Sequence, residues 1–128
     1  MAGVNLNIQE GAPFQYTWTL SNPSVSNPAV AGTPVDLTNA KAECQIKDAP
    51  DSTNAAYLAL SSATPTPNGS SIILGGVAGT VELNIAWQDT VGLPSGVYDV
   101  HILLGDGKTM VVIPMGAVVV TPQVTSFA

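Results

Sequence analysis

Few side chains in this sequence are able to do acid–base, nucleophilic or metal chemistry, and their spacing decides what they are good for. His101 is the single histidine, so any Ser-His-Asp arrangement must run through it. It stands two residues from Asp99, which in an extended segment puts both on one face. The reading is an incidental exposed pair, with a pH-sensitive pair as the alternative. Ser95, in Leu93-Pro94-Ser95-Gly96, does not make the Gly-x-Ser-x-Gly nucleophile elbow. Asp48 and Asp51 share one loop, and Asp99 and Asp106 flank a hairpin. Aspartates in such places serve turn geometry rather than glycosidic cleavage. No Asp-x-Asp-x-Asp run offers the oxygen ligands of a calcium loop. Gly75, Gly76 and Gly79 lack the Lys-Ser/Thr of a phosphate loop and read as a turn. Cys44 is alone, which rules out an internal disulfide and leaves a small core hydrophobe. The expectation is no catalytic residue, no cofactor and no metal: not an enzyme.

Charge narrows the remaining classes. Only 9% of residues are charged, against about 25% in an ordinary domain, and the deficit falls on the basic side. Three lysines (Lys41, Lys47, Lys108) and no arginine face nine carboxylates, for a net charge of -6. Nucleic-acid binding needs several cations on phosphate, so it is excluded as an expectation, and so is attachment to anionic lipid. The late charge-free stretch from Thr109 to Ala128 is interrupted by Pro114, Pro122 and Gln123, and its valines come in strand-length groups rather than a membrane span. No leader-like basic and apolar run opens the chain, and a soluble protein is expected. A surface of Ser, Thr, Asn, Gly and Ala suits a protein packed among partners.

The elements that position these residues are strands. Val4, Leu6 and Ile8 alternate with polar neighbours, as do Phe14, Tyr16, Trp18 and Leu20 after a break at Gly11 to Pro13. Ser21 to Pro34 reads as an aperiodic loop, and Val35 to Thr38 as a short extended piece. Ala42, Cys44 and Ile46 form the next strand, followed by Ala56 to Leu60, Ser70 to Leu74 and Thr80 to Ala86. Asp89 would cap a single helical turn that Pro94 stops. Tyr98, Val100, Ile102 and Leu104 lead into Gly105-Asp106-Gly107-Lys108, a tight hairpin. Met110 to Ile113 returns, Pro114 and Gly116 bulge the strand, and Ala117 to Thr121 closes the fold. Trp18 and Trp87 both extend inward-facing patterns and are expected in the core. A sugar-stacking platform would need more exposed rings than the chain's seven aromatics allow. The expected architecture is one all-β domain, 1–128: an antiparallel immunoglobulin-like β-sandwich of about eight short strands, with a closed barrel as the alternative.

From Gly11 to Thr125 the order of short motifs resembles immunoglobulin-like proteins and domains of tailed bacteriophages, in particular the N-terminal domain of the baseplate upper protein family. The resemblance rests on Gly11 with Phe14 to Leu20, Pro34-Val35-Asp36-Leu37-Thr38, Ile46-Lys47, Gly79 with Val81-Glu82-Leu83, Leu93 to Val100, Gly107, Gly116 and Val120-Thr121-Pro122. Asn39 stands where the family usually has glycine, and asparagine also adopts positive φ. The resemblance implies a non-enzymatic virion protein. With no fibre segment after Ala128, the expectation is a capsid decoration or cement protein on the major capsid protein. A tail or baseplate component is the alternative, and a carbohydrate-binding adhesion module the second alternative.

A sandwich has edges, and unguarded edges recruit strands from other chains. Val4 to Ile8 and Ala117 to Thr121 carry no charge. Val4, Asn5, Leu6, Val118, Val119 and Val120 are therefore the expected contact residues, covered by a virion partner or by another copy of the chain.

Overall fold

Where apolar residues alternate with polar ones, the chain extends and buries every second side chain. The computed structural model describes residues 4–23 and 31–124. Its strands are β1 (Leu6–Gln9), β2 (Phe14–Thr19), β3 (Ser21–Pro23), β4 (Ala31–Pro34), β5 (Lys41–Lys47), β6 (Leu58–Ser61), β7 (Ser71–Leu74), β8 (Thr80–Ile85), β9 (Gly96–Leu103) and β10 (Met110–Thr121), with a single helical turn, α1 (Trp87–Thr90), before β9. One sheet has the order β1-β10-β9-β5-β6, the other β2-β8-β7, and β3-β4 forms a small ribbon. Among the described residues the two main sheets end in edge strands and do not close into a barrel. This is an immunoglobulin-like β-sandwich.

The core lies between the two main sheets. Leu6 and Ile8 of β1, Cys44 and Ile46 of β5, Leu83 and Ile85 of β8, and Val100 and Ile102 of β9 are buried, as the alternation predicts. Tyr98 is buried too, and its hydroxyl donates to the Val4 carbonyl at 2.5 Å, tying the start of β1 to the sheet. The β9–β10 hairpin turns at Gly105 to Lys108. There Asp106 Oδ1 accepts from the backbone N–H groups of Lys108 and Thr109. The register of β10 on β9 slips between Ile113 and Gly116, so the bulge falls where Pro114 removes a ladder donor. Asn39 has φ 61°, as the turn after Leu37 requires.

Several expectations need correction. Ser21 to Pro34 is not all loop: β3 and β4 pair antiparallel, with residues 24–30 outside the described set. Backbone bonds join this segment to the rest, from Leu20 N to Gly79 O and from Val35 N to Leu20 O, and such bonds leave no side-chain period. Val35 to Leu37 is not part of a strand ladder, and Asp36 Oδ1 accepts from Thr38 N where the turn at Thr38 and Asn39 begins. The strand expected from Ala56 begins only at Leu58. Trp87 is 43% exposed: β8 ends at Ile85, so the period that would have carried the ring inward has stopped. Asp89 is not the cap of α1, since Ala86 holds that position without a side-chain bond. The β1–β10 pair is parallel, with Leu6 opposite Val118 and Ile8 opposite Val120. The other sheet pairings are antiparallel.

Candidate functional site

The residues with chemistry are dispersed over the sandwich, each in a local structural task. Cys44 is buried, and burial, with a smaller contribution from the charge of Asp99, pushes its thiol up to about 12. Such a thiol is inert at neutral pH. Asp48 accepts from the Asn54 amide at 3.1 Å, and Asp106 caps its hairpin. Among the described residues, no three His, Cys, Asp or Glu side chains converge as a metal site would require. His101 and Asp99 do meet, with Nε2 3.0 Å from Oδ2, and their side chains are 51% and 44% exposed. They border a shallow cleft of about 260 Å³ with Gln45, Lys47, Tyr98 and Met115. An open pair of this kind has no nucleophile beside it and no dry pocket.

The larger feature is the outward face of the five-stranded sheet. Across β5, β9 and β10 the register aligns Lys41, Leu103 and Met110 in one row, Glu43, His101 and Val112 in the next, and Lys47, Val97 and Ala117 in a third, with Gln45 beside Asp99. Along β10 this face exposes Met110, Val112, Met115 and Val119, each about half open to solvent. Along β5 it carries two of the chain's three lysines. Apolar and charged strips therefore lie side by side, separated by β9.

The six expected contact residues divide in space. β1 is an edge of its sheet, as anticipated, and it has no charged side chain. The segment Val118 to Val120 is not an edge: β10 lies between β1 and β9, and Val120 N donates to Ser95 Oγ. Leu6 and Val118 point into the core, Val4 and Val120 are partly buried against it, and Asn5 and Val119 are exposed. Among the described residues β6, β7 and β2 are also edges without a charged side chain, missed in the sequence, and the partner of β2 is β8. Alternation identified the inward face of β2 but carries no information about how many neighbours a strand has.

No protein-family model matches this chain, and no curated protein matches it. Among solved structures it is similar to the NK cell receptor Nkp44, described as a triggering partner in natural cytotoxicity. Identity is 16%, covering 94% of this chain and 99% of the receptor chain, with a TM-score of 0.53. The likeness is one of fold.

One more constellation was invisible in the sequence because its members lie about twenty residues apart. The Asp89 carboxylate accepts from the Thr66 hydroxyl at 2.6 Å, from the Asn68 amide at 2.8 Å and from the Ser70 hydroxyl. Ser70 Oγ in turn accepts from Ala86 N at 2.7 Å, so the loop before β7 is latched to α1. Burial raises the Asp89 pKa, but the hydrogen bonds from Ser70, Thr66 and Asn68 outweigh it and hold the carboxyl below its ordinary 3.8. Glu10 is likewise lowered by the N–H groups of Gln123 and Gly92, which join the end of β1 to both the α1–β9 turn and the C-terminal segment. A carboxylate whose pKa is depressed on folding stabilises the fold above its unfolded pKa, and that contribution is lost as pH falls through the folded value. The melting temperature should therefore fall below about pH 4. Asp89→Asn should be less stable at neutral pH and lose less on acidification. Parallel acid melting curves for the two proteins would show that the latch does not titrate with folding.

Proposed function

We propose that this protein is a non-enzymatic structural subunit of a bacteriophage virion, most specifically a decoration or cement protein that buries surface between neighbouring capsid subunits. The observation that carries this reading is an acidic, lysine-poor sandwich that leaves neutral edges at β1 and β2, and an apolar strip on β10, open in a single chain. A protein living alone guards such edges with charge, whereas one held in a symmetric shell has them covered. Many modest interfaces repeated around a shell are collectively strong. The resemblance of the motif order to baseplate upper proteins supports the same virion setting and favours a second reading, a tail or baseplate component. The exposed ring of Trp87 is the one feature that favours a carbohydrate-binding module, and it stands without a second ring shown beside it.

Gold-labelled antibody against the protein, applied to phage particles purified from its source, is expected to decorate the head. Label confined to the tail would select the second reading. Particles free of both label and peptides from this chain would remove the virion assignment.

A further inference from the structure

We infer that the outward face of the five-stranded sheet pairs with the same face of a second copy, about a two-fold axis that crosses the strands at the level of Gln45. The pairing is a property of the isolated chain and goes beyond the virion reading.

The argument rests on charge and shape along two strands at once. β5 points Lys41, Glu43, Gln45 and Lys47 outward in a row. Among the described residues the only ion pair is His101 with Asp99, so Glu43 and Lys47 have no ionic partner among those residues. A two-fold axis at Gln45 sets Glu43 of each copy opposite Lys47 of the other and satisfies both charges twice. The same axis acts on β10. Met115, in the bulge nearest the Gln45 level, meets its own copy; Val112 meets Ala117, and Met110 meets Val119. Apolar then lies on apolar along β10, and Glu43 meets Lys47 along β5. Axes at Glu43 or Lys47 would set like charges against each other. An axis running along β9 would lay the apolar strip of β10 over the charged strip of β5. Asp99 also faces its copy, a like-charge contact that opposes the pairing, with His101 Nε2 3.0 Å from each carboxylate. Face-to-face packing of sheets with nearly aligned strands, about 10 Å apart, is the ordinary geometry for such a contact.

Sedimentation velocity across a concentration series tests the inference by charge reversal. The wild-type chain is expected to dimerise. Glu43→Lys and Lys47→Glu should each weaken the dimer about tenfold or more, because each places like charges in contact twice. The double variant Glu43→Lys/Lys47→Glu swaps the pair and should restore affinity to within about threefold of wild type. Val112→Asp, on the apolar strip, should leave the protein monomeric. All three positions lie outside the core, and unchanged circular dichroism and melting check that the variants fold. A wild-type chain that remains monomeric, or a double variant no better than the singles, overturns the proposal. So does a dimer indifferent to both single reversals, which would place the contact elsewhere, with the β2 edge the first surface to test.

Discussion

Replacing Trp18 with alanine is expected to cost about 3–5 kcal/mol of folding stability, the largest loss from any single truncation in this chain. The indole is 4% exposed and lies between the sheets, 4.7 Å from the Tyr16 ring and 6.0 Å from the Tyr98 ring, measured between centroids. Deleting it removes the most extensive apolar contact available to β2, and a sandwich whose two sheets hold each other apart cannot collapse to refill the space. The indole N–H adds a second test. Trp18 Nε1 is buried with no hydrogen-bond partner among the described residues. Trp18→Phe therefore removes an unsatisfied donor along with one ring, and the two effects oppose each other. The phenylalanine variant should lose only about 1–2 kcal/mol. Urea denaturation of both variants checks this. A phenylalanine variant as unstable as the alanine one would mean that the indole N–H holds a partner, such as a buried water.

Gly116→Ala is expected to cost about 2–3 kcal/mol for the addition of one methyl group. A Cβ at this position would sit 2.2 Å from the Val4 carbonyl oxygen and 2.8 Å from Tyr98 Cε1. The Tyr98 ring cannot yield, and the Val4 carbonyl can do so only by moving its backbone segment. Val4 O accepts the Tyr98 hydroxyl, and the Tyr98 ring is buried in the core. The strain should be released by moving the start of β1 away from β10, since β1 is short and bonded to one strand alone. Hydrogen exchange should therefore accelerate at Leu6 to Gln9 while β5 and β9 stay protected. Tyr98→Phe loses the bond to Val4, at about 1 kcal/mol. It should not rescue Gly116→Ala, because the carbonyl oxygen remains in the way. Wild-type melting of Gly116→Ala would show that the bulge has room this structure does not give it.

Much of the sandwich was legible in advance because burial in a strand has a period of two. That period correctly turned Leu6 and Ile8, Cys44 and Ile46, and Tyr98, Val100 and Ile102 inward. Turn chemistry was legible for the same local reason: Asp106 between two glycines, Asn39 at positive φ and Pro114 at the bulge each follow from what one residue's backbone allows. The period failed where the chain changed direction. Trp87 was carried inward on a strand that had already ended, and the β3–β4 ribbon is held by backbone bonds that leave no pattern in side chains.

Side-chain alternation and turn residues, then, determined that this chain is an all-β sandwich, which residues fill its core and where its hairpin and bulge fall, since those are decided within a few neighbouring residues. Tertiary structure alone decided which strands are edges, because pairing runs through N–H and C=O groups that every residue carries alike. β10 looked like an edge by composition and lies between two strands; β2 looked like the centre of the core and pairs with β8 alone among the described residues. Register across the sheet decided, in the same way, that Glu43 and Lys47 share a face with Val112 and Met115 and that Asp89 reaches Thr66 and Ser70. These meetings depend on residues far apart in the chain, and the surfaces through which this protein meets others are made of them.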